Sequence, residues 1–173
     1  MHILVDGYNL IRQSDALRRR ERQSLEDGRE ALIAFLAAYK KRKGHDITVV
    51  FDGWESGSAM EERDYSLGIH ILYSRRGEKA DEVIKRIAAH SDEEIMVVSS
   101  DREIASFAQR RGRVVLSSPE FEAIINSAQN ELKNENYAEK DGEDPDERPF
   151  KKKGPARKLS RAQRHAQAKI RKL

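Results

Sequence analysis

Ile3-Leu4-Val5-Asp6-Gly7-Tyr8-Asn9-Leu10-Ile11 is the stretch on which the fold turns. Three apolar residues running into an acid, a glycine and an asparagine read as a buried strand that stops abruptly at a polar site. In open parallel sheets ligands bind outside the carboxyl ends of the strands, so an Asp delivered there is well placed for chemistry. Gly7 lets the backbone turn sharply, and Asn9 adds a side-chain amide two residues later. A strand that simply ends in a turn also favours Asp, Gly and Asn, so this stretch alone leaves both readings open.

The rest of the chain repeats the pattern. Residues 47–51 form a second apolar, β-branched run that ends in Asp52-Gly53; residues 69–73 read as a third strand, and residues 95–98 as a fourth running into Ser99-Ser100-Asp101. A short fifth strand is predicted at 114–116. Helical spacing predicts helices over about 25–43, with Ser24 as N-cap and Gly44 as stop, over about 79–90, over about 102–111, and from Ser118-Pro119-Glu120 to about Leu132. Arg12 to Arg22 is heavily basic, hints at a short helix and makes a candidate RNA-facing flank. Residues 54–67 lack periodicity and read as a loop, in which Trp54 would cover the site, stack a base or fold back over a core edge. Alternating strands and helices of this kind predict a parallel α/β sheet covered on both faces.

Parallel strands deliver their C-terminal residues to one edge, so Asp6, Asp52 and Asp101 should converge there, joined by Asp81 in the first turn of the helix after the third strand. Asp81 and Glu82 are also what a helix N-terminus favours for its own dipole. Several ionised carboxylates cannot share a site unless a cation neutralises them, and an oxygen-only ligand set suits Mg²⁺ or Mn²⁺. Arg75, Arg76, Lys79 and Arg102 are candidates for phosphate contact. His2, His45, His70, His90 and His165 show no paired spacing, which argues against a histidine-driven ribonuclease. No Gly-x-Gly-x-x-Gly follows the first strand, so no dinucleotide cofactor is expected. A haloacid-type phosphatase would want a second Asp where Tyr8 stands.

With 173 residues the chain fits one domain and a modest extension. It has no cysteine, hence no disulfide or thiolate metal site, and no apolar run long enough for a membrane span. A cytoplasmic protein, neither secreted nor membrane-bound, is expected. The net charge of +3 hides an asymmetry: residues 148–173 carry eleven Lys or Arg and no acid, while the preceding 147 residues carry 22 basic and 30 acidic side chains. A basic tail on an acidic body points to a polyanionic partner, with simple solubility as the plainer explanation. The expected organisation is a domain over 1–134, an acidic and disordered linker over 135–149, and a basic tail over 150–173, disordered or helical, whose Lys151, Lys152 and Lys153 are candidate RNA contacts.

The segments Leu4 to Ile11, Val50-Phe51-Asp52-Gly53, Lys79-Ala80-Asp81-Glu82-Val83-Ile84 and Val98-Ser99-Ser100-Asp101-Arg102-Glu103-Ile104 together resemble the NYN domain of the PIN-like nuclease superfamily, in its YacP-like branch. The resemblance spans about residues 1–130, in order, and does not cover the tail. It implies a PIN-like three-layer α/β/α sandwich with a mostly parallel central sheet of about five strands. It also implies a divalent-metal-dependent endoribonuclease that cuts single-stranded RNA, with mRNA as substrate and the translating ribosome as a candidate partner. Asp6, Asp81 and Asp101 match the family's metal-holding acids, Asn9 the amide after the first, and Ser100 the orienting hydroxyl before the last. Asp52 matches an acid of variable role, and Glu82 stands where many relatives have a second Asp. The bottom-up chemistry agrees, because metal ions can both activate water and stabilise a leaving oxygen. A PIN-like module that binds RNA or the ribosome and cleaves nothing is the alternative.

Overall fold

The computed structural model describes residues 1–53 and 58–127. Trp54, the end of the last predicted helix, the acidic linker and the basic tail with Lys151, Lys152 and Lys153 lie outside the described residues. The chain divides into two units, Met1–Ile125 and Asn126–Leu173, and the described elements belong almost wholly to the first.

That unit is built on β1 (His2–Asp6), α1 (Gly7–Gln13), α2 (Asp15–Glu21), α3 (Leu25–Lys43) and β2 (Asp46–Phe51), then β3 (Glu62–Ser66), β4 (Ile69–Tyr73), α4 (Ala80–His90), β5 (Ile95–Val98), α5 (Arg102–Arg110) and β6 (Val114–Leu116). Residues 118–127 form a further helix, α6. The strands lie in the order β3-β4-β2-β1-β5-β6, all parallel except for the antiparallel β3–β4 pair. The chain runs outward from β1 through β2 to β4, and α4 then carries it back over the sheet to β5 on the other side of β1. The strand order therefore reverses at β1, and the crevice outside its carboxyl end is where such sheets bind ligands.

Core residues explain the layers. The central strands are buried on both faces, as their unbroken apolar runs require. Leu4, Val50 and Val97 point to the face covered by α4 and α5, where they meet Val83, Ile84, Ala88, Ile104 and Ala108. The alternate residues Val49 and Phe51 point to the opposite face, against α1. On α3 and α6 the rings of Tyr39 and Phe121 meet edge to face, 5.6 Å between centroids. The predicted caps of α3 hold: Ser24 Oγ accepts from Asp27 N–H, and Gly44 closes the helix at φ 70°. Helix α6 opens at Ser118 as predicted, and its cap is Ser117. It forms a capping box with Glu120, whose carboxylate accepts from the Ser117 N–H at 2.9 Å.

Two sequence expectations are corrected. The stretch 54–67 is not all loop, because β3 adds a sixth, antiparallel strand; residues Glu62 to Tyr65 are exposed, so no apolar alternation marks them. Gly7 is required, but not for a sharp turn. It sits at helical geometry, and a Cβ there would stand 2.4 Å from Phe51 Cε1 and 2.9 Å from Val49 Cγ1. The missing side chain lets α1 lie directly on β2. Gly7→Ala is therefore expected to cost ~1–3 kcal/mol through overpacking, measured by urea or thermal unfolding. Phe51→Leu in the Gly7→Ala background should recover part of that loss, and strictly additive losses would show that the ring is not the obstacle.

Candidate active site

The carboxyl edge of the sheet opens into a cleft of about 570 Å³. Four acids line it, Asp6, Asp52, Asp81 and Asp101, together with Tyr8, Asn9, Gln13 and the guanidinium-bearing Arg12 and Arg29. Each acid owes its place to a backbone constraint. Asp6 ends β1 and caps α1: its Oδ1 accepts the Asn9 N–H at 3.2 Å. Asp101 caps α5, with Oδ1 accepting from Glu103 N–H at 2.7 Å and Ile104 N–H at 3.1 Å. Asp52 follows β2 and accepts the Ala80 N–H at 3.1 Å. The N-cap residue of α4, Lys79, makes no side-chain cap bond, so Asp52 caps α4 from a neighbouring strand and thereby fixes where Asp81 enters the cleft.

A hydroxyl not singled out in the sequence ties two acids together. Ser99 Oγ donates to Asp6 Oδ2 at 2.9 Å and accepts from Asp101 N–H at 3.1 Å. The parallel register held the signal: Val5 pairs with Val98, which puts the next residue, Ser99, beside Asp6. Ser100, the predicted orienting hydroxyl, makes no hydrogen bond to an acid among the described residues. Its Oγ accepts from Ser118 N–H, and its own N–H donates to Asn9 Oδ1 at 2.9 Å. Asn9 Oδ1 also accepts from Ser118 Oγ at 2.8 Å. The carbonyl oxygen of Asn9 thus holds the β5–α5 connection and the start of α6 against α1, which makes Asn9 a positioning residue.

The predicted cationic contacts do not line this cleft. Arg75 pairs with the buried Glu78 at 3.3 Å, while Arg76, Lys79 and Arg102 are exposed and outside it, as is Glu82. Arg12, the first residue of the basic flank expected to face RNA, stands there together with Arg29, which lies over a shelf formed by Tyr8, Phe51 and Tyr73. Arg29 carries no local signal of a site because it lies in the second turn of α3, and only the packing of α3 turns it into the cleft.

Electrostatics mark the acidic end. Burial pushes the Asp6 carboxyl up from 3.8 to about 6, against hydrogen bonds from Ser99 and Asn9 that pull it down; Asp81 and Asp101 push the same way as burial. Burial also raises Asp81, followed by the charge of Asp101. Among the described residues no three His, Asp or Glu side chains stand close enough together to hold a metal ion. The donor set nevertheless suits a hard cation in kind, since it offers only oxygens and its buried members repel one another when ionised.

A model of the YacP-like NYN domain matches residues 3–172. The chain belongs to the YacP-like NYN domain family. The chain is 31% identical over 86 residues to the uncharacterized protein YacP of Bacillus subtilis strain 168, an alignment spanning half of each protein. It is similar to a crystal structure of Rae1 (YacP) from Bacillus subtilis, with 26% identity, 80% of each chain covered and a TM-score of 0.64. A tryptophan-to-leucine mutant of Rae1 (YacP) covers 99% of this chain and 91% of its own at TM-score 0.66 and 21% identity, a likeness of fold. No helix among the described residues of this NYN-domain protein is long and apolar enough to cross a membrane.

The raised Asp6 carboxyl makes a signed prediction. A group whose folded pKa exceeds its unfolded value contributes stability fully below the unfolded value, here 3.8, and loses it as pH rises through about 6. Asp6→Asn keeps the acceptor for Asn9 N–H and removes the charge. In EDTA the variant should melt above wild type at pH 7.5, by up to ~2–3 kcal/mol, and level with it near pH 3.5. A gain of equal size at both pH values would mean that ionisation is not its source.

Proposed function

We propose that this protein is a divalent-metal-dependent endoribonuclease that cuts single-stranded RNA, and specifically mRNA presented by the translating ribosome. One observation carries the reading: four aspartates from four separate segments face one cleft at the strand-order reversal, the most buried of them destabilised in its ionised form. Among the described residues none of these four makes an ion pair.

Asp6, Asp81 and Asp101 would hold Mg²⁺ or Mn²⁺, with Asp52 beside them. Such an ion, when bound, supplies activation of water and stabilisation of charge on the phosphodiester oxygens. The chain's own residues do the rest. Ser99 fixes Asp6 relative to Asp101, Asp52 fixes the N-terminus of α4, and Asn9 keeps α1 and α5 in register around the acids. The Asp81 side chain makes no hydrogen bond to another described residue, which leaves its carboxylate the freest to turn toward a ligand. The basic segment from Lys151 onward would anchor the protein on RNA or the ribosome by displacing counterions.

The alternative, an RNA- or ribosome-binding module that cuts nothing, is favoured by the spacing of the acids, which do not close on a common point. Asp81→Asn discriminates between the two. It should lower cleavage of a labelled single-stranded RNA in Mn²⁺ by ~100-fold or more while the fold is kept, and wild-type cleavage should stop in EDTA. Mn²⁺ should also raise the melting temperature of wild type, and not that of the Asp6→Asn, Asp101→Asn double variant. Asp101→Asn retains the Oδ1 cap of α5, so loss of the shift would not reflect a broken helix start. RNA binding without cleavage in any metal supports the module instead.

A further inference from the structure

We propose that Arg12 and Arg29, gathered around the ring of Tyr8, form a phosphate-binding subsite that holds the RNA backbone beside the scissile bond. This rests on reading the cleft as the nuclease site and extends it. Arg12 and Arg29 line the same cleft as the four aspartates, yet among the described residues neither pairs with any of them. Opposite charges that share a cleft collapse onto one another unless the scaffold keeps them apart, and here it does so in two ways.

Arg29 is held by aromatic rings. Its guanidinium lies 5.5 Å from the Tyr8 centroid, 5.6 Å from Phe51 and 5.4 Å from Tyr73, and its Nε donates to Tyr8 Oη at 2.8 Å. The side chain is 21% exposed and its ion-pair partner, Glu26 at 3.4 Å, is itself mostly in solvent. Arg12 lies 5.4 Å from the Tyr8 centroid and 3.7 Å from Glu21, with 66% of its side chain exposed. A guanidinium held on a ring keeps planar donors fixed and lightly hydrated, which suits bidentate capture of a phosphate.

The charge pattern needs this second site. Four carboxylates at one end repel a polyanion, and a cation seated among them compensates only where it sits. A single strand carries a phosphate at every nucleotide, so the phosphate next to the reacting one needs a cation of its own in the same cleft. The guanidinium pair supplies it, and Leu25, 53% exposed and lining that cleft, offers an apolar contact for a ribose or base edge. The exposed Arg19, Arg20 and Arg22 on and just after α2 extend the positive surface beyond it.

Anisotropy of a labelled single-stranded oligoribonucleotide in EDTA at several salt concentrations tests the subsite on the full chain, alongside steady-state cleavage in Mn²⁺. Arg12→Ala, Arg29→Lys and, as a control of equal charge change outside the cleft, Arg110→Ala would be compared. We expect Arg12→Ala to weaken binding about tenfold and to flatten the log–log salt slope by about 0.7, the loss of one phosphate contact on a single strand. Arg29→Lys keeps the charge, so its slope should stay while affinity falls. In cleavage both variants should raise KM with kcat near wild type, a split that a purely structural loss would not give. Binding and slope of Arg12→Ala indistinguishable from Arg110→Ala would overturn the proposal. If wild type binds RNA but cleaves none in any metal, the nuclease reading fails while the binding comparison still decides the subsite.

Discussion

Parallel pairing of β1 with β2 on one side and β5 on the other is the constraint on which everything else hangs. It is made of backbone hydrogen bonds in a fixed register, Val5 opposite Val49 and Val98, and it brings three segment ends to one edge of the sheet. Asp6, Asp52 and the Ser99–Asp101 turn are neighbours because of that register, although up to 95 positions separate them in the chain. The same pairing creates the reversal of strand order that α4 must cross, which sends the N-terminus of α4 and Asp81 to the same place.

Most of the acids that gather there also serve the scaffold. Asp6 and Asp101 cap the helices that directly follow them, and Asp52 caps a helix that starts 28 positions later. One oxygen of each is committed to backbone N–H groups, which holds the carboxylate in place and leaves the other oxygen to face the cleft or, for Asp6, Ser99. The arrangement carries an energetic cost in Asp6, whose burial and acidic neighbours oppose ionisation. A carboxyl held at such a cost, in a cleft lined by three further acids, is a candidate for ligand binding beside its role as a cap.

Charge is segregated within a single cleft: carboxylates on the strand ends and α4, guanidinia on α1 and α3. The aromatic shelf of Tyr8, Phe51 and Tyr73 makes this segregation possible, because ring faces hold a cation without neutralising it. Gly7 belongs to the same device. Only a residue without a side chain lets α1 descend onto Phe51 far enough for Tyr8 to reach Arg29.

The sequence by itself determined strands β1, β2, β4, β5 and β6, helices α3, α4 and α5, and the acids. Continuous apolar runs ending in Asp have one economical solution, a parallel sheet, and a parallel sheet has one edge for its C-terminal ends. Local signals sufficed for the caps at Ser24 and Gly44. The tertiary structure decided what depends on lateral neighbours. Edge strand β3 buries little and so wrote no alternation into Glu62 to Ser66. Ser99 rather than Ser100 meets Asp6, because strand register, not proximity in sequence to Asp101, chooses the partner. Arg12 was legible as part of the basic flank after the first strand, but Arg29 on α3, rather than Arg75 and Arg76 in the loop after β4, is the second cation of the cleft. A strand carries its neighbours in its own pattern of side chains, whereas the face a helix turns to a site is set only when the helix docks.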